Sequence, residues 1–471
     1  MRRAAFPLLA LLAAIVPITH SQSEPLPRTW IDKDTGHRVI RLSDEPNSSA
    51  FYFNVNEFTP DGKQMVYNAP DGIHVLDLET RKTRLLVANP PRPADAGPGA
   101  FRNNAHTIVV GRKTNSVFFT KLDPDAKQNI VYKADVYTGA VTKLVVLPPR
   151  ANIATINADE TLGVGTYDAQ EMPTNQQYGQ NLSQQAGNTA AAANQERAPL
   201  VQPESKGAMM ERRLAARIPV VLYEIDLKTG KVNALLHSTD WIGHMLFSPS
   251  DPTLLMYCHE GPWQKVDRIW MIHTDGTHNT LIHKRTMAME IAGHEFWGWD
   301  GKTIWYDWQY PKGDDFFLAG YNLETHQRTA YHMQRNEWSI HFNITPDETL
   351  FTGDGGDPGQ VAKAPDGEWI ELFHPQKLSF GSDVKNNSDF WQPGIFHSER
   401  LVNMSHHNYR LEPNVRFTPD KKLVIFTSNM FGRSYVFGVE VEKTQNPNAA
   451  EIDSTPELAG KFSPANPAPT H

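Results

Sequence analysis

A short pattern recurs along this chain: a Pro-Asp or Asp-Gly turn, a β-rich run, a second turn, and a further run ending near a Thr-Gly pair. Its first half is clearest at Phe58-Thr59-Pro60-Asp61-Gly62-Lys63, Phe247-Ser248-Pro249, Trp299-Asp300-Gly301-Lys302, Thr345-Pro346-Asp347 and Phe417-Thr418-Pro419-Asp420. It is fainter at Thr114-Asn115-Ser116 and Asn157-Ala158-Asp159-Glu160. The second half stands at Asp77-Leu78-Glu79-Thr80, Asp135-Val136-Tyr137-Thr138-Gly139, Asp226-Leu227-Lys228-Thr229-Gly230 and Asn322-Leu323-Glu324-Thr325. Turns of this kind between β-rich runs are hairpin chemistry, and a period of roughly 45 to 60 residues suits one four-stranded blade. The expected fold is therefore all-β, a seven-bladed β-propeller of four-stranded blades. Asp32 to Leu42 resembles the second half of a blade but comes first in the chain. It is expected to give the last blade its outer strand and so close the ring, leaving few open sheet edges.

Domain organisation follows from what the repeats leave over. Arg2 and Arg3, the apolar run Ala4 to Ile18, and the small residues Thr19 and Ser21 read as a signal peptide over 1–21, so export to the periplasm or beyond is expected. The propeller is placed at 25–445. Within it, 168–216 reads as an insertion between blades, rich in Gln, Asn and Ala from Thr174 to Ala198, with a short helix near Met209 to Ala216. Residues 446–471 read as a flexible tail. The net charge of −8 and the lack of a long basic run argue against nucleic acid, and no apolar run is long enough for a membrane span. The lone cysteine, Cys258, rules out an internal disulfide and is expected in a buried strand.

Histidines stand where strands begin or end, beside acids and aromatics: Gly243-His244, Cys258-His259-Glu260-Gly261-Pro262, Gly293-His294-Glu295-Phe296-Trp297, Trp338-Ser339-Ile340-His341 and Ser405-His406-His407. His244, His294, His341 and Glu412 hold equivalent places ahead of their repeat turns, so in a propeller they converge on the axis, where polar groups build a metal or anion site. His74, His278 and His332 sit in turn or outer-strand contexts and are expected to be solvated. Trp297 and Trp338 are candidates to stack on sugar faces, with core packing an equal alternative.

The run Cys-His-Glu-Gly-Pro, the following Asp267-Arg268-Ile269-Trp270, the His-Glu-Phe-Trp at His294, and Gly353-Asp354-Gly355 resemble the oligogalacturonate lyases. The likeness runs from about Thr29 to Glu442 and is densest from Trp241 to Asp357. It implies a metal-assisted β-elimination on a uronic-acid oligosaccharide, with His294 as base and Arg268 as its assistant. His244, His259 and Trp297 are placed as substrate contacts. The family's divalent ion, usually manganese, is expected at His341 with Glu412 and Asn414, the nearby His406 or His407 supplying a further nitrogen, and the shell is placed at His341, His407, Glu412 and Asn414. Where the family shows His-Pro-His, with a Gln three residues earlier, this chain has Glu412-Pro413-Asn414 and Tyr409. A mixed nitrogen and oxygen set of this kind also suits calcium or magnesium. The chemistry is coherent: neutralising the sugar carboxylate eases loss of the C5 proton, and a neutral imidazole can take it. The alternative is a non-catalytic cell-envelope propeller that binds protein or glycan.

Overall fold

The computed structural model describes residues 26–91, 104–123, 125, 127–169, 205–355, 359, 361–365, 367–379 and 390–444. The expected signal peptide, the C-terminal tail and most of the insertion lie outside the described residues.

The repeat turns form as their side chains dictate. Thr59 donates its hydroxyl to Asp61 at 2.6 Å, Asp61 accepts from the Lys63 amide at 3.0 Å, and Gly62 takes the positive φ (69°) that the turn needs. Thr418 and Asp420 repeat the contact at 2.7 Å. At the other turn, Asp135, Asp226 and Asn322 each accept from the amide and hydroxyl of the threonine three residues on.

Between these turns the chain is all-β, folded into many small antiparallel sheets. Three are four-stranded; one runs Trp241–Phe247, Leu254–Glu260, Ile269–His273 and Thr280–Leu281. The first sheet has three strands from Gln64–Ala69 onward, with an isolated bridge from Phe58 to Met65 beside them. A larger sheet breaks the expected four-strand unit. It begins at Ile291–Trp297 and continues through Arg328–Met333, which pairs in parallel with Gln392–Asn403 and so joins two antiparallel groups. In a further sheet Arg38–Arg41 pairs with Tyr435–Glu440, holding the two ends of the described chain together.

The core lies between sheets. Val164 and Leu222 pack with Ile242, Leu255 and Tyr257, while Met256 and Ile269 pack with Ile304, Tyr306 and Ala319. A strand such as Leu254–Glu260 is therefore covered on both faces and reads as a nearly continuous apolar run. Cys258 lies within it, fully buried, as expected.

The short helix of the insertion spans Lys206–Ala216, capped by the Ser205 hydroxyl and ended by Arg217 in the left-handed region. It sits on the sheet beside the Cys-His-Glu-Gly-Pro run: Arg213 lies 4.0 Å from the Trp241 ring centre, and Glu211 pairs with Lys265 at 2.7 Å. His74 corrects its expectation. It is buried, with one ring nitrogen 2.9 Å from Asp71 in the turn ahead of its strand and the other 3.4 Å from Glu45 of a distant loop, so two acids flank the ring where solvent was expected. His278 is exposed in a turn, and His332 is part-exposed beside Asp315.

Candidate functional site

Two strands that open their sheets carry the same local device. In Trp241–Phe247 the register slips between Gly243 and Leu246, and in Ile291–Trp297 it slips between Gly293 and Phe296. At each bulge the histidine takes a φ of 45°, which turns its ring out of the regular alternation. The glycine ahead of it is required by close approach. A Cβ on Gly293 would stand 3.0 Å from the Trp263 ring and 3.2 Å from Asp307, and one on Gly243 would stand 2.9 Å from Glu260.

These bulges deliver His244 and His294 to one cluster with His341. The His294 and His341 rings meet edge to face at 4.9 Å between centroids, and Trp263 closes on His294 at 4.8 Å. His294 Nδ1 lies 3.1 Å from Asp307, and His341 Nδ1 lies 2.7 Å from Asp354. With Nδ1 facing a carboxylate, the neutral form of each imidazole donates there and keeps Nε2 as an acceptor. Burial pushes the His294 imidazolium down, aided by the charges of His341 and Arg268, and outweighs the raising effect of Asp307. Burial also opposes the charged form of His341, but there Asp354 and Glu412 prevail and the value rises. The two neighbours therefore differ in charge preference, which marks functional sites more often than structural ones.

Arg268 is buried between Glu260, whose carboxylate lies 2.8 Å from Nη1, and Glu295, which lies 3.1 Å from Nε. Its Nη2 makes only long contacts of 3.5 Å to the same carboxylates and is its least engaged nitrogen. Although both glutamates lose solvent, Arg268 holds their carboxyls below the usual range. His244 Nε2 joins this network at 3.0 Å from Glu260. His244, Cys258 and Glu260 could by proximity take a metal. Their chemistry argues against it: Glu260 already serves a guanidinium and an imidazole, and burial keeps the Cys258 thiol protonated.

The better metal position is at His341. Its Nε2 is buried without a hydrogen bond and faces the Glu412 carboxylate at 3.8 Å. An imidazole oriented through Nδ1 by a carboxylate, with a bare Nε2, is the usual preparation of a metal ligand. The rest of the expected shell does not join it. His407 has both nitrogens engaged, at 3.0 Å to Ser428 Oγ and 2.8 Å to the Leu411 carbonyl, and burial lowers its pKa to about 4. Asn414 spends its Oδ1 on the Phe53 amide at 3.1 Å and its amide on the Glu412 carbonyl.

Two expected substrate contacts also lie elsewhere. His259 alternates with Cys258 and Glu260 along its strand, so its ring goes to the other face and stacks on Trp270 at 5.0 Å. Trp297 donates to the Leu246 carbonyl and lines a small cavity of about 90 Å³. Trp338 is core, packed on Phe316.

One set of residues escaped sequence reasoning. The turn Phe51 to Val55 reaches the cluster, bringing Tyr52 against His244 (5.6 Å) and His341 (5.5 Å) and Phe53 against His341 (5.0 Å) and His294 (6.3 Å). Asn54 bonds the Glu295 carbonyl at 2.9 Å. Tyr52 also lines a cavity of about 320 Å³ with Arg410, Glu412 and Asn414. No local pattern announces these contacts, because they are tertiary; Asp354 and Glu295, by contrast, stood inside the motifs quoted above.

The assembled features define a class: an all-β protein of small sheets whose opening strands bring acid-oriented histidines and a doubly paired arginine together. Residues 212–444, just under half of the chain, match the family model described as oligogalacturonate lyase. An oligogalacturonide lyase of Pectobacterium atrosepticum is 28% identical over 227 residues, and an oligogalacturonate lyase of Dickeya dadantii is 29% identical over 230. The matched stretch covers 47% of this chain and 55% of each relative, so the chain spans little more than half the length of these relatives. Among solved structures, an oligogalacturonate lyase in complex with manganese aligns over 88% of this chain and 96% of its own, at 21% identity and a TM-score of 0.63. Another, from Vibrio parahaemolyticus, aligns over the same shares at 21% identity and a TM-score of 0.64. These two share the fold.

Proposed function

We propose that this protein is a lyase that cleaves uronic-acid oligosaccharides, oligogalacturonates first among them, by β-elimination. The observation that carries this reading is His294: buried, neutral by preference, bound to Asp307 through Nδ1 and so presenting Nε2 as a base. His294 takes the C5 proton, the bond from C4 to its glycosidic oxygen breaks, and a 4,5-unsaturated sugar leaves. Asp307 fixes the tautomer and offsets the charge His294 acquires. Arg268, held by Glu260 and Glu295, disfavours a proton on His294 beforehand and offers Nη2 toward the sugar carboxylate.

His341 Nε2 and Glu412 are the residues that fit a divalent ion, and an oligogalacturonate lyase of the same fold is a manganese complex. A hard ion such as manganese, magnesium or calcium there would supply a Lewis acid for the sugar carboxylate. The same reading takes the sheets as seven blades closed by the pairing of Arg38–Arg41 with Tyr435–Glu440, and the N-terminal apolar run as an export signal for a periplasmic or extracellular enzyme.

Purified protein incubated with galacturonate oligomers is expected to generate ultraviolet absorbance from the unsaturated product, and to lose that activity after chelation. No new absorbance across a panel of uronate oligomers sinks the reading. Activity unchanged after thorough metal stripping removes the ion from it.

A further inference from the structure

Deepening the lyase reading, and resting on it, we infer that Tyr52 is a catalytic residue, the proton donor to the leaving glycosidic oxygen. Its ring is wedged between His244 and His341, one ring away from His294. Its hydroxyl makes no hydrogen bond with any described residue, although each imidazole around it has a carboxylate partner on at least one nitrogen. A phenol without a partner at the centre of a paired cluster has its donor free for a bound molecule.

The cavity of about 320 Å³ shows where that molecule extends. Tyr52 forms one wall, Arg410 supplies an exposed guanidinium, and Ser49 and Thr427 add hydroxyls. A single sugar ring fits this space, and Arg410 suits the carboxylate of a uronate. With one uronate over His294 and Arg268 and the next in this cavity, the bond joining them lies at Tyr52.

Elimination needs two proton movements. His294 removes the proton from C5, the electron pair forms the C4–C5 double bond, and the pair of the C4–O bond goes to the departing oxygen. That oxygen takes the phenolic proton of Tyr52. The phenolate is then reprotonated from solvent or from the imidazolium of His294, so no proton is gained or lost by the protein over a cycle.

Tyr52→Phe removes one oxygen that holds nothing in place. The turn beneath it stays tied by Arg416 to the Phe51 carbonyl at 2.6 Å, Glu57 to the Phe51 amide at 2.8 Å, and Asn414 to the Phe53 amide at 3.1 Å. The variant is compared with the unaltered protein on two substrates: a galacturonate oligomer, and a galacturonate carrying a 4-nitrophenyl group at O4, whose phenolate departs without a proton. The expected result is a kcat loss of about 10²-fold or more on the oligomer and a rate within about threefold on the nitrophenyl substrate. Equal losses on both substrates, or none on the oligomer, overturn the assignment of Tyr52 while leaving the lyase reading intact. An unaltered protein that eliminates neither substrate overturns both.

Discussion

Gly243-His244 and Gly293-His294 are two copies of one backbone device with different outcomes. Both sit at a register slip in the opening strand of a sheet, both histidines have a φ of 45°, and both rings reach the same cluster. The difference lies in the partner across the strand pair. Gly293 lies opposite Asp307, which accepts a hydrogen bond from His294 Nδ1, whereas Gly243 lies opposite Cys258, a thiol that burial keeps neutral. His244 turns instead to Glu260, which is already committed to Arg268. Position is thus set by the bulge, and acid–base character by the residue on the neighbouring strand.

The largest effect expected from this asymmetry is on catalysis. His294→Ala should lower kcat by about 10³-fold, on the order of 4 kcal/mol of barrier, with the melting temperature little changed. Steady-state formation of unsaturated product measures it; activity within tenfold of the unaltered protein breaks the distinction between the two histidines. The pH profile sharpens it. Because the His294 value is lowered from 6.5, its neutral form persists below that pH, and the acid limb of kcat/KM should fall below the ordinary imidazole range. In Asp307→Asn a contribution that raises the value is lost, so the limb moves further toward acid while kcat falls by about 10²-fold through loss of the fixed tautomer. A limb moving toward neutral pH contradicts the assigned partner.

How much of this was readable in the sequence depends on the range of the interaction involved. The Thr-Pro-Asp-Gly and Asp-x-x-Thr turns are local, and their side chains close the contacts the sequence implies, as at Thr59 with Asp61 and Asp226 with Thr229. The all-β fold follows from them. His294 and His341 were legible because position in the repeat places them in the opening run of their units. Glu412 was legible for the same reason. His407 was not: it lies next to the expected metal residues in sequence, yet its nitrogens turn to Ser428 and Leu411, which no spacing rule foretells. His259 fell to simple strand alternation, since its neighbours Cys258 and Glu260 own the face toward Arg268. Tyr52 is the far limit of legibility, because its place depends on a turn held from the opposite end of the chain by Asn414 and Arg416.

The next effect in size is on stability. Gly293→Ala places a methyl group 3.0 Å from the Trp263 ring and 3.2 Å from Asp307, so the ring that closes on His294 must move. A loss of about 2 kcal/mol is expected, visible as a lower melting temperature, with a fall in kcat besides. The matching Gly243→Ala meets Glu260 at 2.9 Å, and Glu260 is pinned by Arg268, so a loss of similar size is expected there without a comparable fall in kcat. If Gly243→Ala suppresses kcat as strongly as Gly293→Ala, the two bulges are not functionally distinct.

The smallest effect is at His244 itself. In His244→Gln the amide can still donate to Glu260, the contact now made at 3.0 Å, so the charge network around Arg268 should survive. What disappears is the ring against Tyr52, which helps hold the phenol between His244 and His341. The expected outcome is a kcat reduced by about tenfold or less, near 1.4 kcal/mol, with the acid limb set by His294 unmoved. Burial with Asp307, His341 and Arg268 sets the His294 value, and Asp354 and Glu412 set that of His341, so removing His244 gives the limb no reason to travel. A limb that shifts in His244→Gln would mean that His244 shares the proton with His294, and the two bulges would then act as one acid–base unit rather than as a base and its scaffold.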